Sequence, residues 1–175
     1  MRRFFDTNVL VYAHSRDAPA KRELAHAFIE EAIAQDSFVL STQVLAEFFS
    51  TVVRRKDMGP MQARELVRLW SEHDVVPHTA ELVLRSISLH LEHAVSFWDA
   101  LILQAALDSH CDVLLSEDLQ HGRRFGNLEV RNPFVSGEAH EPMARRYGVS
   151  ARARMPVDRS GIRRKTKGRR VRPAS

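Results

Sequence analysis

Cysteine and long apolar runs are scarce in this chain of 175 residues, and each absence excludes a class of protein. One cysteine, Cys111, cannot form an internal disulfide, which favours a reducing compartment. No apolar run reaches the roughly 18 or more residues of a membrane span, and the N-terminus lacks the apolar core of a signal peptide. We therefore predict a cytoplasmic protein without membrane association, in which Cys111 is a buried thiol beside an apolar strand.

Negative charge is nearly missing from the C-terminal segment. Residues 141–175 contain 12 basic residues (Lys or Arg) and only 2 acidic residues (Asp or Glu). Residues 1–140 contain 14 basic and 20 acidic residues. The segment also has few large apolar residues, so burial cannot offset its ordering entropy, and we predict that it is disordered. The predicted organisation is a domain over residues 1–138 and a basic tail over residues 139–175. The tail either binds nucleic acid through its phosphates or is a solvated segment without specific function.

Short apolar runs alternate with segments of helical periodicity in the rest of the chain. The predicted strands cover residues 3–5, 37–41, 74–77, 112–116 and 128–132. The predicted helices cover residues 18–35, with Asp17 and Pro19 at the start, 43–56, 60–73, 79–94 and 96–110. Strands separated by helices favour a mainly parallel sheet, so the predicted fold class is a three-layer α/β/α arrangement.

Four acids lie where this sheet would gather them. Asp6 ends the first strand, Glu47 lies in the helix after the second, Asp99 is near the start of the last long helix, and Asp118 follows the strand at residues 112–116. Binding sites in parallel sheets form at the carboxyl ends of the strands. We therefore predict that the four side chains converge in one cleft.

Each acid also has an ordinary structural explanation. Asp6 is a good helix N-cap, and Asp118 fits a turn or a cap. Glu47 lies at the boundary of its helix's apolar face, where a solvated glutamate is common. Asp99 completes a capping box with Ser96.

Capping alone does not account for Asp99. At 100° per residue its side chain projects among those of Ile102, Leu103 and Ala106, on the most apolar face of the helix. A carboxylate there is costly unless it is paired or binds a metal.

A cluster of acids needs raised pKa values or a bound cation. Two like charges about 4 Å apart repel by about 4 kcal/mol at an effective dielectric near 20. No lysine or arginine lies beside any of the four acids in sequence. Oxygen ligands alone favour Mg²⁺, with Mn²⁺ as the alternative, over zinc. Carboxylates, Mg²⁺ and substrate phosphate oxygens together are typical of a metal-dependent phosphodiesterase.

The segments around these acids resemble the motifs of a known family. "FFDTNVLVYA", "STQVLAEFFS", "SFWDALIL" and "LLSEDLQHG" are similar in order and spacing to the four acidic motifs of PIN-domain ribonucleases, and most of all to VapC-type toxins. The resemblance covers about residues 3–135. It implies that Asp6, Glu47, Asp99 and Asp118 are the metal-binding and catalytic acids. Three further residues would be supporting polar groups: Thr7, Asn8 and Ser116.

The resemblance also implies an activity and partners. The activity is Mg²⁺-dependent endonucleolytic cleavage of RNA by the toxin of a toxin–antitoxin pair. The implied partners are an RNA substrate, a cognate VapB-like antitoxin in a groove near the site, and a second copy in a homodimer. Because an acidic cleft repels RNA, basic residues must guide its backbone. Arg123, Arg124 and the tail are candidates, with ordinary surface charge as the alternative for each.

Other functions stay open or are disfavoured. A PIN-fold module that binds RNA or protein without activity is the main alternative, although the presence of all four acids argues against it. An aspartyl phosphatase needs a second acid two residues after the first, but Asp6 is followed by Thr7 and Asn8. The sequence also lacks a Gly-rich phosphate loop, which disfavours nucleotide binding. The pair His90 and His93 has no complementary zinc ligands and fits a solvated helix face.

Overall fold

The computed structural model describes residues 1–135. The strands are β1 (Arg3–Phe5), β2 (Phe38–Ser41), β3 (Asp74–Val76), β4 (Val113–Leu115), β5 (Arg124–Phe125) and β6 (Leu128–Arg131). The helices are α1 (Thr7–His14), α2 (Pro19–Ala34), α3 (Thr42–Arg54), α4 (Pro60–Trp70), α5 (Ala80–His93) and α6 (Phe97–Asp108). The predicted boundary at residue 138 and the predicted disorder of the tail lie outside the described residues.

The strands form one sheet in the order β3-β2-β1-β4-β6-β5. All neighbouring pairs are parallel except β5 with β6. This arrangement confirms the predicted α/β fold with a mainly parallel central sheet. The short β5 was not predicted, because two residues carry no periodicity. It pairs with β6 across a tight connection in which Gly126 has a φ of 57°, a conformation that favours glycine.

Helix α1 was also absent from the prediction. Its residues Val9, Leu10, Val11 and Ala13 are all buried, and this nearly continuous apolar run in the middle of the helix hides the helical periodicity. The predicted start of α2 at Asp17 is wrong in detail. Ala18 is the N-cap without a side-chain bond, and Pro19 in the first turn supplies the helix-starting geometry.

The helices fall into two packed groups. Helix α1 contacts α2 and α3, and α3 continues to α4, whereas α5 packs mainly on α6. Helices from both groups contact β2. Cys111 is buried, as predicted, and burial raises the pKa of its thiol to about 12. No helix within residues 1–135 has the length and apolar character needed to cross a membrane.

The central strands decide which loops meet. Strands β1 and β4 are adjacent and parallel, with Phe5 opposite Leu115. The Asp6 amide continues this pairing by donating to the Leu115 carbonyl at 3.0 Å. The residues that follow the two strands therefore emerge side by side at the carboxyl edge of the sheet.

Candidate active site

Asp6 is both a helix cap and a member of a buried polar cluster. It is the N-cap of α1, and its Oδ1 accepts a hydrogen bond from the Thr7 amide at 2.6 Å. Its Oδ2 accepts from the Ser116 hydroxyl at 2.6 Å and from Asn8 Nδ2 at 2.9 Å. The side chain is only 6% exposed. The capping explanation and the site explanation therefore both hold for this residue.

Asn8 links Asp6 to Asp118. Its Nδ2 lies 3.1 Å from Asp118 Oδ2, while its Oδ1 accepts from the Glu117 amide at 3.3 Å. Ser116 Oγ in turn accepts from the Asp118 amide at 3.2 Å. The amide of Asn8 therefore holds two carboxylates near each other without contributing charge.

Glu47 reaches the site from the second turn of α3. Its Oε2 accepts from the Thr7 hydroxyl at 2.8 Å, and its Oε1 accepts from Gln43 Nε2 at 2.9 Å. Helix α3 begins directly after β2, and its packing on α1 brings Glu47 to the first turn of α1. Gln43, which sequence analysis missed, precedes Glu47 by one helical turn, and that spacing was the available signal.

Asp99 comes from the first turn of α6. Ser96 is the N-cap, its Oγ accepts from the Asp99 amide at 3.1 Å, and the same hydroxyl donates to Asp99 Oδ2 at 2.7 Å. The predicted Ser96 cap is thus present. Asp99 is nevertheless on the wall of the cleft that the other three acids line.

One cavity of about 360 Å³ contains all four acids in its walls. The lining residues are Asp6, Thr7, Asn8, Val11, Tyr12, Gln43, Glu47, Thr51, Arg55, Trp98, Asp99, Ile102, Glu117 and Asp118. Convergence of the four acids follows from their places after β1, β2 and β4 and at the start of α6. Ser116 lies behind this wall, fully buried, and its hydroxyl contacts three residues of the lining, Asp6, Asn8 and Asp118.

Burial and charge repulsion act together on Asp6. The pKa of its carboxyl is raised from 3.8 to about 6, mainly by desolvation and to a smaller extent by the neighbouring charges of Asp118 and Glu47. The hydrogen bonds from Ser116 and Thr7 oppose this shift. A nearby cation would therefore stabilise the ionised form of Asp6.

The donor set suits a hard divalent cation. Each acid accepts hydrogen bonds from neutral groups, and none of the ion pairs among residues 1–135 includes Asp6, Glu47, Asp99 or Asp118. Within the same residues, no three acids, histidines or cysteines are already grouped around one metal position. The chemistry fits Mg²⁺ or Mn²⁺, and coordination by three acids requires side-chain movement.

The positive groups at the cavity margin, Arg55 and Lys21, each form an ion pair with an acid other than the four predicted ones. Arg55 lines the cavity, but its Nε lies 3.1 Å from Asp57 Oδ2. Lys21 forms an ion pair with Glu117 and also lies 3.2 Å from the Tyr12 hydroxyl. Glu117 itself lines the cavity beside Asp118. The ion pair between Lys21 and Glu117 could not be predicted from local sequence, because the two residues are 96 positions apart.

The two predicted RNA-contacting arginines lie beside the site rather than in its walls. Arg123 donates to the His93 carbonyl at 2.7 Å, and its guanidinium is 4.7 Å from the centre of the Phe125 ring. Arg124 pairs with Glu129 at 2.7 Å. Contact of either residue with RNA stays a prediction.

Comparison with known proteins agrees with this geometry. A model of the PIN domain family matches residues 3–124, a range that includes all four acids. No curated protein sequence matches the chain significantly. Solved structures also share the fold, among them the following three.

VapC20 of Mycobacterium tuberculosis, a toxin that cleaves the sarcin-ricin loop, is 20% identical. The alignment covers 66% of this chain and 91% of that chain, with a TM-score of 0.53. A toxin–antitoxin complex from Klebsiella pneumoniae contains a chain that is 19% identical. The alignment covers 75% of this chain and 97% of that chain, with a TM-score of 0.55. VapBC2 of Rickettsia felis, bound to a promoter DNA fragment, contains a chain that is 22% identical. The alignment covers 75% of this chain and 98% of that chain, with a TM-score of 0.55. Because the family match spans more than half of the sequence and contains the whole acidic site, this chain belongs to the PIN domain family.

Proposed function

We propose that the protein is a Mg²⁺-dependent endoribonuclease that acts as the toxin of a toxin–antitoxin pair. The observation that carries this proposal is the convergence of Asp6, Glu47, Asp99 and Asp118 on one cavity, where none of the four forms an ion pair with a lysine or arginine of residues 1–135. Fold similarity to a VapC toxin and to two toxin–antitoxin complexes supports the assignment to this class. The substrate would be RNA, whose phosphate oxygens complete the coordination of Mg²⁺.

The four acids would hold Mg²⁺ or Mn²⁺. When bound, the ion supplies a water of lowered pKa and neutralises charge on the scissile phosphate. Ser116 and Asn8 keep the Asp6 carboxylate oriented towards the cavity. Thr7 and Gln43 do the same for Glu47, each bonding one of its two oxygens. The neutral donors position the acids while leaving their negative charge available to the ion.

An antitoxin would dock in a second cavity. This cavity of about 660 Å³ lies at the end of α1 and along α4. Its lining includes Met58, Met61, Leu66 and Leu69, of which Met61 and Leu69 are exposed large apolar residues. An amphipathic helix from the antitoxin would bury this surface. Exchange of Met61 and Leu69 for Glu should weaken antitoxin binding in a pull-down while leaving RNA cleavage by the free protein intact.

A homodimer is the remaining proposed assembly. Helix α5 exposes Leu84, Ile87 and Leu91, which recur at the spacing of one helix face. A second copy that packed this stripe against its own would remove it from water. We expect the unmodified chain to sediment as a dimer and Leu84→Glu to sediment as a monomer. A monomeric unmodified chain would contradict this assembly.

The decisive experiment is RNA cleavage by purified, antitoxin-free protein. We expect cleavage with Mg²⁺ or Mn²⁺, none with EDTA, and a loss of at least two orders of magnitude in Asp99→Asn, since metal-held charge dominates such reactions. Asp36→Asn is the matched control, because Asp36 is exposed, lies outside the cavity and has a φ of 49° that asparagine tolerates. Cleavage that survives both EDTA and Asp99→Asn would contradict the proposal. Binding of RNA without cleavage by the unmodified protein would favour the inactive PIN-fold module.

A further inference from the structure

The two tryptophans of the chain have opposite environments. Trp70 is 6% exposed and packs against Phe48, with ring centres 4.7 Å apart. Trp98 is 63% exposed, although it is the second residue of a helix whose other apolar residues are mostly buried. Tryptophan is usually highly buried because its ring is large and apolar. The exposure of Trp98 is therefore unexplained by packing.

Trp98 lies in the wall of the acidic cavity, directly before Asp99 in sequence. Tyr12 is the other aromatic residue that lines this cavity, and other residues of the protein already contact its ring. The Lys21 ammonium lies 4.2 Å from the centre of the Tyr12 ring, and Phe134 packs edge-on against that ring at 5.0 Å. Within residues 1–135, the only ring contact recorded for Trp98 is with its chain neighbour Phe97, at 5.7 Å. Trp98 therefore brings a largely solvent-exposed ring to the site.

The charge of the site decides what such a ring can bind. The cavity walls carry five carboxylates, Asp6, Glu47, Asp99, Glu117 and Asp118, so an apolar protein partner would have to desolvate them. A nucleobase can stack on the indole at the rim while its phosphate turns towards the acids. Base stacking does not depend on charge, so the carboxylates that repel the RNA phosphate backbone do not weaken it.

We propose that Trp98 is a base-stacking subsite, on which the nucleobase next to the scissile phosphate rests. The proposal depends on the proposed function, because it assigns a nucleotide to the same cavity. It adds a specificity-determining contact that involves no acid and no metal. A subsite of this kind accepts any base by its π-face and prefers those that stack most strongly, namely purines.

Tryptophan fluorescence tests the subsite without any cleavage. In Trp70→Phe, Trp98 is the one remaining tryptophan, and in Trp98→Phe only buried Trp70 remains. We expect a single-stranded RNA tetranucleotide, added with Ca²⁺, to quench the emission of Trp70→Phe but not of Trp98→Phe. An abasic tetranucleotide of equal charge should quench neither. If Trp70→Phe fails to fold, the difference between the unmodified protein and Trp98→Phe carries the same information. Equal quenching by abasic and base-containing oligonucleotides would overturn the proposal.

Cleavage kinetics provide the second readout. Trp98→Leu keeps an apolar side chain but has no π-face, whereas Trp98→Phe retains one. Loss of one stacked base corresponds to roughly a 10- to 100-fold decrease in kcat/KM for Trp98→Leu, with Trp98→Phe within about fivefold of the unmodified protein. The thermal midpoint should be unchanged in both, which separates stacking from a structural role.

The outcomes distinguish the two proposals. If the unmodified protein cleaves RNA and Trp98→Leu cleaves it equally well, the subsite is wrong and the nuclease assignment stands. If the unmodified protein cleaves no RNA but only base-containing RNA quenches Trp98, the base-stacking contact stands, although without a scissile phosphate beside it, and the nuclease assignment fails. A change in oligomeric state or antitoxin affinity in Trp98→Leu, without any change in RNA binding, would make Trp98 a protein contact and overturn the subsite.

Discussion

Ser116 donates its hydroxyl hydrogen to Asp6 Oδ2 across 2.6 Å, although the two residues are 110 positions apart in sequence. The bond is buried and joins the loops that leave the adjacent parallel strands β1 and β4. It stabilises the charged form of the carboxyl against desolvation, which is the strongest influence on its pKa. This contact sets how easily Asp6 becomes an anionic ligand at neutral pH.

Exchange of Ser116 for Ala should therefore raise the pKa of Asp6 above about 6 and lower cleavage at neutral pH. A hydrogen bond to a charged group contributes about 1.5–3 kcal/mol, so the ionised fraction of Asp6 at pH 7, and with it the rate, should fall by roughly two- to fifteenfold. The acidic limb of the pH–rate profile should move to higher pH. Ser86→Ala is the matched control, since Ser86 is equally buried but donates to the Leu82 carbonyl within α5. An unchanged acidic limb in Ser116→Ala would show that Asp6 ionisation does not govern the rate.

Exchange of Asp6 for Asn should stabilise the metal-free protein at neutral pH. Because the folded pKa of about 6 exceeds the unfolded value of 3.8, Asp6 contributes stability that is present below pH 4 and lost as pH rises through 6. The full difference is on the order of 3 kcal/mol. Urea denaturation of both proteins from pH 4 to pH 7.5, without divalent ions, measures it. The stability difference should grow with pH, and a constant difference would contradict the assigned shift.

Added Mg²⁺ should raise the thermal midpoint by linkage. At about 100 times the dissociation constant, binding contributes about 2.7 kcal/mol, which corresponds to a shift on the order of 5 °C. The shift should be smaller at pH 5 than at pH 7.5, because protons compete with the ion for Asp6, whose pKa is about 6. Asp118→Asn should lose most of the shift and Asp36→Asn should keep it. Equal shifts in both variants would place the ion outside the cavity.

The pH dependence of stability has a second, opposite source in His14. The pKa of its imidazole is lowered from 6.5 to about 4, mainly by burial and to a smaller extent by the nearby His26. His14 thus contributes stability that is present above pH 6.5 and lost as pH falls towards 4. His14→Phe keeps a ring against Phe48 and Trp70 but removes the titration. Its stability should fall less than that of the unmodified protein between pH 7 and pH 4.5, as measured by urea midpoints.

The sequence by itself determined the parallel α/β architecture and the four acids of the site. Alternation of short apolar runs with helical periodicity requires crossover connections, and these place the ends of the strands at one edge. Asp6 and Asp118 follow such strands directly, so their meeting was predictable. Asp99 was predictable from its place on an apolar helix face. Helix α1 was missed, because its apolar residues run consecutively from Val9 to Ala13 and show no clear helical period.

The tertiary structure alone decided which contacts hold the acids in place and which side chains of the site are exposed to solvent. Periodicity does not say which strands are neighbours, so the position of β1 between β2 and β4 emerged only on folding. That order brings Ser116 to Asp6 and Lys21 to Glu117 through contacts between distant segments. The pKa of Asp6 and the exposure of Trp98 likewise depend on which atoms exclude water from each side chain. Desolvation is a property of the packed surroundings and has no local signature in sequence.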